Sequence, residues 1–190
     1  GLMLAQLGGH RVLATVHNNA EFLYGDKDNA LRVGMRKTAY RRIVSRCAGT
    51  IAVSQEVKNS LVRDLGLKES GSRKVFVVDN GVPVPEPLPP AEIERKRAEL
   101  GIRPDQPFIL AAGRLSDQKN FKDLVLAAAR LVEHGPDFRL VICGEGEHRA
   151  MLEGLIREHG LEDRVVLAGN RTDLDRLFLS ADLFVMTSLW

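Results

Sequence analysis

Gly113-Arg114-Leu115-Ser116-Asp117-Gln118-Lys119-Asn120-Phe121 joins two segments of different periodicity. Before it, residues 108–112 form an apolar run of strand length. After it, Phe121, Leu124, Val125, Ala128, Leu131 and Val132 recur at helical spacing. The nine residues are thus read as the turn at the carboxyl end of a strand, where open α/β sheets bind ligands. Two cations stand on this turn. Arg114 offers a planar fork of donors and Lys119 a point charge, a pair suited to a diphosphate. Solvated loop cations are the competing reading, and the nine residues alone do not separate the two.

The same alternation extends outward in both directions. Downstream, a strand at 139–143 leads into Gly144-Glu145-Gly146-Glu147 and a helix to about residue 159. A strand at 164–168 then leads into Gly169-Asn170-Arg171. Thr172 is expected to cap a short helix ending near 179, with a last strand at 183–186. Upstream, residues 11–16 read as a buried strand running into His17-Asn18-Asn19, followed by a loop over 20–28. A basic helix is expected over 29–47 and a strand over 50–53. Ser54 then caps a helix that stops at Gly66, and a strand over 74–78 ends in the turn signal Asp79-Asn80-Gly81. Strands alternating with helices at this spacing predict parallel βαβ units and doubly wound sheets.

One composition change interrupts the alternation. Residues 82–90, VPVPEPLPP, carry five prolines in nine positions and read as an extended, semi-rigid linker. The expected organisation is one incomplete α/β lobe over 1–82, the linker over 83–90 and a second incomplete lobe over 91–190. Both ends of the chain read as cuts through a larger protein.

Composition narrows the classes of function. The chain has 190 residues, 44% hydrophobic and 27% charged, which is ordinary for a globular protein. A net charge of +2 and 5% aromatic residues argue against a nucleic-acid partner. No apolar run reaches the length of a membrane span. Cys47 and Cys143 lie in apolar surroundings and read as buried reduced thiols. The helix over 29–47 carries Arg32, Arg36, Lys37, Arg41, Arg42 and Arg46 with no acid among them. These cations spread round most of its circumference, leaving two readings: a solvated face, or a surface for anionic lipid or an anionic acceptor.

The other constellations are weaker alone. Gly144-Glu145-Gly146 follows a strand and opens a helix, a context suited to an anion, but the third glycine of a dinucleotide fingerprint is replaced by Arg149. Asp173-Leu174-Asp175 spells a metal-binding pair, yet acids in a first helical turn are favoured by the dipole alone. No histidine pair has metal-ligand spacing.

Taken together, these stretches resemble the retaining glycosyltransferases of the group 1 type (family 4), which have the two-lobed GT-B fold. The likeness covers "TVHNN" at 15–19, "AGTIAVSQEVKNSL" at 48–61 and "VVDNGVPV" at 77–84. It continues through "ILAAGRLSDQKNF" at 109–121, "LVICGEGEHRAML" at 140–152 and "DRVVLAGNRTDLDRLFLSADLFVMTSLW" at 163–190. The resemblance implies that Gly113, Arg114 and Lys119 hold the diphosphate of a nucleotide-sugar donor linked to UDP or GDP. It implies that Gly144, Glu145 and Gly146, with Asn80 and Gly81, line the donor cleft. Gly169, Asn170 and Arg171 would meet the base, mostly through backbone, and His17 would be the catalytic-site group facing the donor sugar. No metal or other cofactor is expected. The expected reaction is hexosyl transfer with retention to a glycan or lipid-linked acceptor, in the cytoplasm, with peripheral membrane contact through the basic helix. The family's glycine-rich loop would precede Gly1, and its glutamate-glycine motif would follow Trp190, so the chain reads as an internal fragment, inactive by itself. An epimerase or phosphorylase on the same fold, or a non-catalytic nucleotide-sugar binding module, are the alternatives. A glutamate-glycine motif directly after Trp190 would favour the transferase.

Overall fold

Each half of the chain builds its own parallel sheet. The computed structural model of the protein describes residues 11–17, 30–135 and 137–189. The chain divides into two compact units, Gly1–Pro83 and Val84–Trp190. Asn18, Asn19, the expected loop over 20–28, Asn29 and Trp190 lie outside the described residues.

In the first unit, strands β1 (Leu13–Val16), β2 (Gly49–Ala52) and β3 (Val75–Val77) pair in the order β1-β2-β3, all parallel. Helix α1 (Ala30–Arg46) precedes β2, and α2 (Gln55–Leu65) and the single turn α3 (Glu69–Ser72) precede β3. The core gathers Val44, Ala52, Val57, Leu61, Leu65 and Val75. Both ends of α2 follow the sequence signals. The Ser54 hydroxyl accepts a 3.2 Å hydrogen bond from the Val57 N–H, and Gly66 adopts the left-handed conformation with φ 56°. The expected turn at 79–81 does not form. The chain from 78 to 89 runs on without turn or helix, consistent with prolines that hold the residues before them extended.

The second unit contains α4 (Pro90–Glu99), β4 (Phe108–Ala112), α5 (Phe121–His134), β5 (Arg139–Cys143), α6 (Arg149–Glu158), β6 (Val165–Gly169), α7 (Leu174–Ser180) and β7 (Leu183–Phe184). The parallel strand order is β6-β5-β4-β7. Pro90 opens α4, a position where its missing N–H costs nothing. Strand alternation sorts the core onto two faces. Ala111, Leu140 and Ile142 pack with Phe121, Leu124, Val125, Leu152 and Ile156 of α5 and α6. Phe108, Leu110, Val141 and Cys143 pack with Ile102 and Leu177 on the opposite face. A sheet buried on both faces is the doubly wound arrangement that the alternation predicts. Thr172 is not the cap of α7. Asp173 takes that position, and its carboxylate makes no capping bond because two basic side chains occupy it.

Candidate functional site

Strands β4, β5 and β6 end side by side, and the turns that leave them are tied together by backbone hydrogen bonds. The Gly113 N–H donates to Cys143 O at 2.9 Å, the Leu115 N–H to Glu145 O at 3.0 Å, and the Gly144 N–H to Gly169 O at 2.7 Å. The turns approach so closely that side chains are excluded. A Cβ on Gly144, where φ is +138°, would stand 1.9 Å from Gly113 O, and a Cβ on Gly146 would stand 2.3 Å from Leu115 O. Gly146 thus serves the packing of one turn on another.

The opening stretch is anchored at Leu115, fully buried in the core beneath α5 and α6. Flanking residues are thereby turned outward. The Arg114 side chain is 75% exposed, and its Nε lies 3.4 Å from the Glu147 carboxylate. That carboxylate is held below its ordinary range by its own backbone N–H and by the Arg114 cation. Lys119 ends a 3-10 turn over Asp117–Lys119, and its aliphatic stem lies over Gly113, 3.3–3.4 Å from where a Cβ would stand. Asn120 follows in the left-handed conformation with φ 50°. The Thr187 hydroxyl donates at 2.9 Å to Lys119 O, so the lysine is positioned from both sides.

A cavity of ≈ 390 Å³ lies at these strand ends, lined by Ala112, Gly113, Arg114, Cys143, Gly144, Glu145, Asn170, Arg171 and Leu174. Six of the residues predicted from sequence therefore meet at one opening: Gly113, Arg114, Gly144, Glu145, Asn170 and Arg171. Gly169 closes β6 with φ +67°, and a Cβ there would meet Glu145 Oε1 at 3.0 Å. Burial pushes the Cys143 thiol up to about 11, so it is a neutral wall group at physiological pH.

Arg171 is not a free cation. Its Nε and Nη2 donate to the two Asp173 carboxylate oxygens at 2.8 Å each, and Nη2 also reaches Glu99 Oε1 at 2.8 Å. Hydrogen bonds from Arg171 and Lys96 hold Asp173 well below the usual carboxylate range. Asp173 is therefore an ion-pair partner, where the sequence reading saw only a helix-dipole acid. Sequence reasoning also missed Glu147, Thr187 and Lys96. No local spacing signals them, because each acts on a residue in another turn or element.

In the first unit, His17 is exposed directly after β1. Asn80 and Gly81 are exposed beyond β3. Because the sheet is parallel, these residues share its carboxyl edge. Arg41 serves the fold of this unit, since its Nε donates to Leu65 O at 2.6 Å and closes the carbonyl end of α2. No helix among the described residues is long and apolar enough to cross a membrane.

Comparison with known proteins gives a consistent result. Residues 92–190 match the family of glycosyl transferases group 1, and residues 1–85 match Glycosyltransferase Family 4. A 2-deoxystreptamine glucosyltransferase of Streptomyces kanamyceticus is 28% identical over 100% of this chain and 50% of its own length. A galactosyltransferase of Escherichia coli, named for UDP-Gal and GlcNAc-diphosphoundecaprenol, is 33% identical over 62% of this chain and 31% of its own. The chain thus spans half or less of these relatives. HepE of Anabaena, solved in complex with UDP, superposes with a TM-score of 0.80 at 20% identity, over 100% of this chain and 50% of that one. The likeness shows the fold, which is of the GT-B type.

Proposed function

Since the chain belongs to the glycosyl transferases group 1 family, we propose that it is part of a retaining hexosyltransferase. The donor is a nucleoside diphosphate sugar, UDP- or GDP-linked, and the acceptor a glycan or a lipid-linked sugar. The observation that carries this reading is the cavity at the ends of β4, β5 and β6, with Arg114 at its rim and Lys119 stacked on Gly113. UDP in the HepE complex and the UDP-sugar and lipid diphosphate named for the Escherichia coli relative support the choice of donor and acceptor.

The chemistry follows from charge. When the sugar leaves, negative charge builds on the β-phosphate oxygen. Fixed cations aimed there stabilise the transition state more than the ground state. Arg114 supplies directed donors and Lys119 a point charge, so the leaving group is stabilised by side chains and a metal ion is not needed. Glu147 lies 3.4 Å from Arg114 Nε, and a diphosphate would share the same guanidinium. The roles of Gly144, Glu145, Asn170 and Arg171 are to wall the donor cleft, and His17 is assigned contact with the donor sugar.

The test is sugar transfer by the complete protein with EDTA present. Arg114→Ala and Lys119→Ala are each expected to lower turnover by about a hundredfold, the scale of losing one preorganised donor. Near-wild-type rates in either variant, or inhibition by EDTA, would sink this reading.

A further inference from the structure

Lys96 of α4 is 8% exposed, and its ammonium does not reach the cavity; it faces the loop that follows β6. Its Nζ lies 2.6 Å from Asp173 Oδ2 and 3.1 Å from Glu99 Oε2. Arg171 bonds the same two acids, completing a ring of two cations and two carboxylates. A nearly buried ammonium is costly unless paired, and an apolar side chain would fasten a helix to a lobe at no such cost. What the ring adds is position. The loop Asn170–Asp173 is tied at its start, where Gly169 O accepts from the Gly144 N–H, and at its end, where Asp173 is held by Lys96. Between the two ties lie Asn170 and Arg171, which wall the cavity and follow β6, a strand that β5 separates from β4 and the turn carrying Lys119.

We propose that Lys96 is a positioning residue for the nucleoside end of the donor: through Asp173 and Arg171 it holds the 170–172 rim in the shape that receives base and ribose. The diphosphate is held separately, by Arg114 and Lys119. A rim shaped before binding spares the ligand the cost of ordering it. This proposal rests on the donor-site reading above.

Binding to the complete protein, measured calorimetrically with UDP, GDP and inorganic pyrophosphate, tests it. Lys96→Met should weaken the nucleotide that binds better by about tenfold, the scale of one lost ordering contact, and leave pyrophosphate within about twofold. Lys96→Arg, which keeps the cation, should recover most of the loss. Glu99→Gln removes only a half-exposed arm of the ring and should show the same split, smaller, even if Lys96→Met does not fold. Equal losses for nucleotide and pyrophosphate, or no loss for either, would overturn the role of Lys96. A wild-type chain that binds none of the three would overturn the donor-site reading itself, and this proposal with it.

Discussion

The residues with least chemistry constrain the site most. Gly144 cannot carry a Cβ, because the atom would stand 1.9 Å from the Gly113 carbonyl and φ is +138°. Gly144→Ala is expected to cost about 2–3 kcal/mol, the range for overpacking and strained backbone, and to open the turns that frame the cavity. Gly154 in α6 is the contrast, with nothing within 4 Å of the place a Cβ would take. Gly154→Ala should stabilise by about 0.5–1 kcal/mol, the helix-propensity difference. Urea denaturation of both variants gives the two signs. Two losses of similar size would show that space at Gly144 is not what matters.

At the scale of elements, the acid and base pairs between α4 and the loop before α7 set a pH dependence. Asp173 titrates below its unfolded value because Arg171 and Lys96 hydrogen-bond its charged form. A depressed carboxylate stabilises the fold above its unfolded pKa, about 3.9 for aspartate, and loses that contribution as pH falls toward the folded value. Lys96 is raised by Asp173 and Glu99, so it stays charged through the same range. Asp173→Asn should therefore be less stable than wild type by a constant amount between pH 6 and 8. The difference should shrink below about pH 4. Denaturation midpoints of the two proteins across pH 3–8 would show this, and a gap that stays constant to pH 3 contradicts it.

At the scale of the whole chain, each unit owns its core. Val44, Ala52, Val57, Leu61, Leu65 and Val75 form one cluster, and the two faces of the second sheet form the others. The cavity with Arg114 draws all its lining from the second unit. Leu61→Ala, at a fully buried site, is expected to cost about 2–5 kcal/mol in the first unit. It should leave UDP affinity unchanged, measured by calorimetry below the unfolding range. A large loss of UDP affinity would show that the donor site depends on the first core.

Most of the elements, and the place of the site, are legible in local residue patterns. Strand runs, helical stripes, the Ser54 cap and the Gly66 stop are each written within about ten residues, since they reflect local periodicity and local backbone bonding. The same holds for the turn at 113–121, whose ends are set by Leu115 entering the core and by the stripe beginning at Phe121. Which groups act on that turn and its neighbours follows from contacts between separate segments of the folded chain. Lys96 meets Asp173 across 77 positions, and Thr187 meets Lys119 across 68. Glu147 reaches Arg114 because β4 and β5 are paired. The expected turn at 79–81 and the Thr172 cap both failed: the chain runs on extended from residue 78 into the proline-rich stretch, and Asp173 takes the cap position of α7. Arg114 and Lys119 were legible as a candidate diphosphate clamp from their turn. That Gly113 carries the lysine stem, and that Arg171 is bound to acids, depended on contacts that only a folded chain makes.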